Sequence, residues 1–328
     1  MVDAQLSAAR PPQHKLDNHQ RVVNFLVRYL HNHCPFRVSE VVESGSLGQG
    51  TTTSEEADID LVVMSQEVPK EDNADWLPRA LEALKTALRR GEAKQYPNIS
   101  NMPNSMLGRA IPCCSDWERT RFALQFKCGG YDVDLLPTYD WSRDPEKYEG
   151  LYKLCVKYHT QEQYQWYSRG AAKLQVEFVS HQRNEVKDLI RIVKYWSKKR
   201  AYWSYKKYKP SSYLITLLVI KASENTGSHV VLNLPFSRAL FMLCYTGHMY
   251  FDRTAVLSEF CRLVRQPPPL RISWSKYNDP ETYSFGEAQR VIQDPANPVN
   301  NVARSGIGDW SEFPRNVEKF RQELGIPY

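Results

Sequence analysis

Three aspartates in two apolar segments are the residues of this sequence best suited to bind metal ions. Asp58 and Asp60 flank an isoleucine in DIDLVV (residues 58–63), and Asp134 lies in YDVDLLPTYD (131–140). Residues two apart in a strand project from the same face, so two such carboxylates repel each other unless a cation lies between them. Magnesium prefers oxygen ligands. A third carboxylate from a neighbouring strand would let two ions share the site, one activating an attacking hydroxyl and the other steadying a leaving pyrophosphate.

A glycine- and serine-rich turn, SGSLGQGT (residues 44–51), precedes the first two aspartates. Gly45 allows the backbone to approach a phosphate closely, and the Ser46 hydroxyl with successive backbone N–H groups can cradle it. The turn is not a Walker A loop, because GxxxxGK[ST] is absent. A lone DxD would also fit a solvated strand edge. The turn and the third aspartate together favour a nucleotidyltransferase of the polymerase-β type.

The pattern of apolar residues outlines the elements that must position these groups. It predicts a strand-rich first part, residues 1–150, and a helical second part, residues 151–328, and hence a two-lobed α+β fold with a mixed β-sheet in the first lobe. The predicted helices cover residues 14–32, 76–90 and 185–199; the predicted strands cover 37–43 and 57–64, with a hairpin of 122–127 and 131–135; residues 92–116 are predicted to be irregular.

Positive charge is concentrated in one stretch of the chain. The 328 residues carry a net charge of +6; residues 181–210 hold ten Lys or Arg and two acids, so this segment carries +8 and the remainder −2. This predicts a polyanionic partner. The mostly apolar stretch of residues 213–220 is far shorter than the ~20 residues of a membrane span. We expect no signal peptide and no membrane partner, and seven irregularly spaced cysteines favour a reducing, cytoplasmic compartment.

Four basic residues form a row on the predicted helix 185–199. Lys187, Arg191, Lys194 and Lys198 lie on one side, whereas the apolar residues lie on another. The row is either a solvated charged face or a face that binds phosphate. The segment DPANPVNNV (294–302) is predicted to be a structural turn, because proline fixes φ and Asp or Asn bonds its own backbone.

These segments resemble the 2′-5′-oligoadenylate synthetase family over nearly the whole chain. The family's turn, roughly GGSSGKGT followed by DADLVV, resembles residues 44–51 and 58–63, and its FEVDVLPAFD resembles residues 131–140. A helix similar to LIRLVKHW is LIRIVKYW (189–196), and the late DPADPT-N-V motif resembles residues 294–302. The resemblance implies a cytoplasmic enzyme of antiviral innate immunity with a two-lobed fold.

The resemblance also implies an activity and roles for individual residues. The family transfers AMP from a donor ATP to the 2′-hydroxyl of an acceptor ATP or oligoadenylate. By resemblance, the metal-binding residues are Asp58, Asp60 and Asp134, which hold two Mg²⁺, with Asp134 helping to deprotonate the acceptor; the ATP-binding residues are Gly45, Ser46, Arg191, Lys194, Ser212 and Tyr213. Tyr213 would stack on the donor adenine, and Ser212 stands where the family often has glutamine.

The sequence departs from vertebrate family members at positions that contact double-stranded RNA. Positions that are basic in those members align with Glu43, Gln49, Val176, Ser180 and Glu185. Each lost phosphate contact weakens binding. Double-stranded RNA could bind instead through residues 198–209, or activity could be independent of RNA. Two other functions remain open, a related nucleotidyltransferase that makes a cyclic dinucleotide and a catalytically inactive RNA-binding scaffold.

Overall fold

A computed structural model of the chain describes residues 2–55, 58–71, 75–95, 114–157, 167–233, 251–274 and 288–326. Within them, five strands form one mixed sheet in the order β1-β2-β5-β4-β3, and two short strands form a separate parallel pair. The strands are β1 Glu40–Glu43, β2 Ile59–Ser65, β3 Cys114–Arg119, β4 Leu124–Cys128, β5 Tyr131–Tyr139, β6 Leu270–Ile272 and β7 Arg290–Ile292.

The central pair of the sheet is parallel, and its other pairs are antiparallel. Strand β2 runs parallel to β5, whereas β1 pairs with β2, and β4 with both β3 and β5, in the antiparallel sense. Almost every residue of β2 is buried, as expected for a strand covered on both faces. The predicted mixed sheet and the predicted hairpin between β4 and β5 are therefore confirmed.

Helices make up most of the remaining regular structure. In chain order they are α1 Val2–Ala9, α2 Gln13–His33, α3 Gly45–Gly48, α4 Trp76–Gln95, α5 Tyr148–Lys157, α6 Ala172–Ser180, α7 Asn184–Lys199, α8 Ser212–Asn233, α9 Arg253–Arg265, α10 Val302–Ser305 and α11 Phe313–Glu323; short 3₁₀ turns cover Trp141–Arg143, Arg169–Ala171 and Lys206–Tyr208. No helix in the described part of the chain is long and apolar enough to cross a membrane.

The chain divides into two compact units. The sheet unit comprises Pro11–Gln49 and Glu56–Glu177; the helical unit comprises Met1–Arg10, Gly50–Glu55 and Phe178–Tyr328. The core of the helical unit includes Trp196 of α7, Phe260 of α9 and Phe320 of α11. The predicted functional division, with a catalytic lobe in residues 1–150 and a lobe in 151–328 that completes the ATP site, stays a prediction.

Two expectations about local structure were wrong. Helix α4 continues to Gln95 and strand β3 begins at Cys114, so both ends of the stretch predicted to be irregular are regular; residues 96–113 lie outside the described residues. The predicted helical half also contains the parallel pair β6 and β7. Three-residue strands are too short to produce a period of two in the sequence.

Candidate active site

Two of the predicted metal ligands lie side by side on the central strands of the sheet. Asp60 of β2 and Asp134 of β5 are register partners. Because the strands are parallel and in register, both side chains leave the same face. Asp60 and Asp134 are half-buried, whereas Asp58, just before β2, is exposed. Ile59 and Leu61 are fully buried, which confirms the predicted alternation.

Burial and neighbouring charge disfavour the ionised form of Asp134. Gln125 of β4 lies opposite Asp134 and donates a hydrogen bond from Nε2 to its Oδ1 at 2.9 Å. Burial raises the pKa of Asp134, the charges of Asp58 and Asp132 raise it further, and the hydrogen bond from Gln125 opposes the shift. A cation bound to this carboxylate would lower its pKa again.

The three carboxylates have the right chemistry for a divalent ion but do not converge as ligands. Among the described residues, no group of three or more His, Cys, Asp or Glu side chains is arranged to hold a metal ion. Asp60 and Asp134 nevertheless form an in-register pair of carboxylates, and the charge of Asp58 raises the pKa of Asp134. An all-oxygen set suits Mg²⁺, which takes one or two protein carboxylates and completes its shell with water or phosphate.

The glycine–serine turn is held directly against Asp60. The backbone N–H of Ser44 donates to Asp60 O at 2.8 Å, and the Ser44 hydroxyl donates to the same oxygen at 3.3 Å. Gly45 has φ +60°, and a Cβ at this position would overlap Oδ2 of Asp60. The turn continues as helix α3, in which Ser46 is half-buried. Gly45 is therefore required both by its backbone conformation and by the adjacent carboxylate.

We expect Gly45→Ala to reduce turnover by on the order of 10²-fold, because the new methyl group must displace the Asp60 carboxylate. The matched control is Gly130→Ala in the β4–β5 turn. Gly130 also has positive φ, +85°, but a Cβ added there would meet nothing within 4 Å. Both variants place an alanine at positive φ and so incur backbone strain, but only Gly45→Ala displaces a carboxylate. Thermal unfolding measures the backbone strain, and steady-state kinetics measure the effect on the carboxylate. Equal losses of turnover would contradict the role assigned to the Gly45–Asp60 contact.

Helix α2 of the sheet unit also supports this site. His19 is buried, stacks on Tyr131 with ring centroids 4.6 Å apart, and hydrogen-bonds with the backbone of Asp58. Burial lowers the pKa of His19, the charge of Lys15 lowers it further, and the hydrogen bond with Asp58 opposes both. His19 thus stays neutral more readily and connects helix α2 to the start of β2.

In the helical unit, Arg191 and Lys194 of the basic row of α7 donate hydrogen bonds to backbone oxygens. Lys194 is only 1% exposed and donates from Nζ to Thr51 O at 3.2 Å. Arg191 donates from Nε to Thr52 O at 3.2 Å and from Nη2 to Gly50 O. Arg191 and Lys194 thus fasten the segment Gly50–Glu55 onto α7, and phosphate binding by this row stays a prediction.

Tyr213 is tethered to the late motif of the sequence. Its hydroxyl donates to Oδ1 of Asp294 at 2.8 Å. Asp294 is fully buried; it also accepts from Ala296 N at 2.9 Å and from Asn300 Nδ2 at 3.1 Å. The predicted structural turn is confirmed, and it holds the side chain predicted to stack on adenine. Ser212, half-buried at the start of α8, accepts from the Thr216 hydroxyl through its carbonyl.

Comparisons with known proteins find relatives that match most of the chain. Residues 141–241 match the family model described as 2′-5′-oligoadenylate synthetase 1, domain 2, C-terminus. The chain is 26% identical to 2′-5′-oligoadenylate synthase 1A of Rattus norvegicus over 335 residues, covering 93% of this chain and 84% of the relative. The resemblance to the 2′-5′-oligoadenylate synthetases is confirmed. Another relative from Rattus norvegicus, named inactive 2′-5′-oligoadenylate synthase 1B, is also 26% identical, over 332 residues covering 90% of this chain and 76% of the relative.

Solved structures agree on the fold. CdnC of E. coli MS115-1, solved with ATP, superposes with a TM-score of 0.58 at 19% identity, covering 99% of this chain and 89% of that one. A cytoplasmic RNA terminal U-transferase superposes with a TM-score of 0.55 at 13% identity, covering 100% and 95%. The chain has the polymerase-β-type nucleotidyltransferase fold, and the predicted α+β class is confirmed. Nucleotidyltransferases of this fold generally use divalent metal ions.

Sequence reasoning missed several residues that support the site. Gln125 binds Asp134, His19 contacts Asp58, and Asp294 binds Tyr213. Of these three residues, only Asp294 was marked by the sequence, because it begins the motif of residues 294–302. Gln125 and His19 had none, since their roles depend on strand pairing and helix packing.

Proposed function

We propose that this chain joins ATP into 2′-5′-linked oligoadenylates with release of pyrophosphate. The observation that carries the proposal is the in-register pair Asp60 and Asp134, with Gly45 packed against the first carboxylate. A glycine turn that can bind phosphate, next to paired strand carboxylates that can bind metal ions, suits nucleotidyl transfer. The confirmed resemblance to the 2′-5′-oligoadenylate synthetases supports ATP as the nucleotide and a 2′-hydroxyl as the attacking group.

In the proposed reaction, the acceptor 2′-oxygen forms a bond to the α-phosphorus of the donor ATP. The bond between that phosphorus and the bridging oxygen to the β-phosphate breaks, and pyrophosphate leaves with the electron pair. Asp134 takes the hydroxyl proton as a general base. Ser46 and the backbone of α3 bind donor phosphate.

Asp58, Asp60 and Asp134 would hold two magnesium ions. When bound, the ions neutralise the carboxylates and stabilise the charge that develops on the phosphate oxygens. The oxygen-only ligands are consistent with magnesium rather than zinc. Asp60 and Asp134 are already adjacent, so we propose that the exposed Asp58 completes the set when ions and nucleotide bind.

In the helical unit, we propose that Arg191 and Lys194 bind the donor triphosphate, that Tyr213 stacks on adenine and that Ser212 lies near the base. The tether from Asp294 supports the role of Tyr213, because a ring fixed at its hydroxyl end loses less freedom on stacking. The carbonyl contacts of Arg191 and Lys194 support a site in which the segment Gly50–Glu55 is part of the binding surface.

Double-stranded RNA is proposed as an activator that would bind through residues 198–209. Two of the positions that are basic in vertebrate members are poor contact points here, since Gln49 is 8% exposed and burial raises the pKa of Glu43. In residues 198–209, by contrast, Tyr202 and Tyr205 are 75% and 68% exposed among lysines and arginines. Stimulation of activity by a duplex would support this partner, and loss of that stimulation on charge removal would locate it.

The direct test is to incubate the chain with ATP and Mg²⁺, with and without double-stranded RNA, and to digest the products with a 3′-5′-specific nuclease. Nuclease-resistant linear oligoadenylate is expected. A cyclic dinucleotide would favour a related nucleotidyltransferase. Absence of any product under both conditions would favour an inactive scaffold, as the relative named inactive illustrates. The presence of all three aspartates favours the active protein. We propose the cytoplasm and antiviral defence as its setting.

A further inference from the structure

A buried carboxylate in the helical unit is shared by two arginines. Asp188 of α7 is 5% exposed. Its Oδ1 accepts from Arg191 Nη1 at 2.8 Å and from Arg10 Nε at 3.3 Å, and its Oδ2 accepts from Arg10 Nη2. The Arg10 guanidinium therefore binds Asp188 through two nitrogens, and Asp188 in turn binds Arg191.

The triad of Arg10, Asp188 and Arg191 helps to fix the plane of the Arg191 guanidinium. Arg191 is bound on three sides, by Asp188 on its own helix and by the carbonyls of Gly50 and Thr52. A guanidinium presents its donors in a rigid planar fork, so three such contacts define its orientation as well as its position. The Arg10 side chain is 55% exposed, and an ion pair with an exposed partner adds little stability, so a purely stabilising role does not account for it.

Arg10 connects the triad to the N-terminal helix. Helix α1 buries Leu6 in the core of the helical unit, and the carbonyls of Ala8 and Ala9 accept from the Ser54 hydroxyl and backbone N–H, each at 2.8 Å. The helix thus contacts the same Gly50–Glu55 segment that Arg191 binds. Arg10, the residue that follows α1, forms an ion pair with Asp188.

We propose that Asp188 and Arg10 are positioning residues that orient Arg191 for the donor triphosphate, which makes the N-terminal ten residues part of the ATP-binding machinery. This inference rests on the proposed function. Without Arg10, Arg191 is the one arginine of the triad left to bind Asp188. The Asp188 carboxylate then competes with phosphate for the Arg191 guanidinium. Without the Asp188 charge, Arg191 keeps its bonds to the carbonyls of Gly50 and Thr52 but loses the charge-assisted one of its three orienting contacts.

The test compares Arg10→Gln, Arg10→Lys and Asp188→Asn with a control that contacts the same N-terminal helix. The control is Arg253→Gln, since Arg253 Nη1 binds Asp3 Oδ1 of α1 at 2.9 Å but is not part of the triad. The measurements are KM for ATP, kcat, equilibrium binding of a non-hydrolysable ATP analogue and Tm. Loss of one charge-assisted phosphate contact predicts a rise in KM and Kd of about tenfold for Arg10→Gln and Asp188→Asn.

Arg10→Lys should restore affinity in part, because it returns the charge without the planar fork. Arg253→Gln should leave KM, Kd and kcat unchanged. Wild-type affinity in Arg10→Gln would overturn the inference, as would equal weakening by Arg253→Gln, which would indicate only general docking of α1. If the unmodified chain binds the analogue but makes no oligoadenylate, the proposed function fails while the binding comparison still tests the triad.

Discussion

Replacing Asp134 with asparagine should lower the rate of AMP transfer at least about 10³-fold while ATP still binds. The substitution removes the proposed proton acceptor and one negative charge from the Asp60–Asp134 pair, but it leaves the turn residues and the helical unit unchanged. Asparagine keeps the shape of the side chain beside Gln125. Single-turnover kinetics and equilibrium binding of an ATP analogue measure the two effects separately.

The stability of the metal-free variant provides a control for folding. Burial raises the pKa of Asp134, so the folded protein holds this proton more tightly than the unfolded chain, and stability is lost as pH rises through the folded pKa. Asparagine cannot ionise, so the variant does not lose this stability as the pH rises. At neutral pH the metal-free variant should therefore unfold at the wild-type temperature or above it, and Mg²⁺ should raise its Tm less than it raises that of the wild type.

Asp132→Asn is the matched substitution on the same strand. Asp132 is exposed and lies two residues before Asp134. It contributes charge but is not proposed to bind metal or substrate, so turnover should stay within a fewfold of the wild type. A folded Asp134→Asn variant that retains turnover, or that loses ATP binding, would contradict the role given to Asp134.

Lys194→Met should lower kcat/KM by about 10²–10³-fold, because it removes a buried positive charge proposed to act on the donor triphosphate. The same change deprives Thr51 O of its donor at 3.2 Å. An unsatisfied buried carbonyl costs about 1–3 kcal/mol, so Tm should also fall by a few degrees. Activity and unfolding must therefore be measured together.

Lys187→Met separates the two effects of the lysine substitution. Lys187 lies on the same basic side of α7 and donates to Ser180 O, so its loss also leaves a carbonyl without that donor. It is not a predicted ATP ligand. We expect a smaller fall in Tm than for Lys194→Met, because this bond is only partly buried, and turnover should be nearly retained. If Lys187→Met and Lys194→Met lose activity in proportion to their Tm, the phosphate role of Lys194 is contradicted.

The sequence was sufficient to predict the sheet part of the candidate site. Alternation at residues 58–61 predicted that Ile59 and Leu61 are buried, and the glycine pair 129–130 marked the hairpin between β4 and β5. These features depend on neighbours close in sequence. Strand β3 was missed because most of its residues are exposed and polar, so it carries no apolar period.

The contacts of the basic row could not be predicted from periodicity. A helical pattern shows which side a lysine faces, but not that Lys194 is buried against Thr51, 143 residues earlier. Asp188 was counted only as one of two acids in a basic segment, although it binds Arg10 across 178 residues. Gly45 was predicted to approach phosphate, whereas its closest constraint is the Asp60 carboxylate. Each of these depends on tertiary packing.

The most direct measurement for the central claim is the mass and linkage of the product that the unmodified chain makes from ATP and Mg²⁺. Catalysis by Asp58, Asp60 and Asp134 on an acceptor 2′-hydroxyl predicts linear oligoadenylates that retain a 5′-triphosphate and carry 2′-5′ linkages by NMR. A cyclic product, a 3′-5′ linkage, or a product formed equally well by Asp134→Asn would contradict the account.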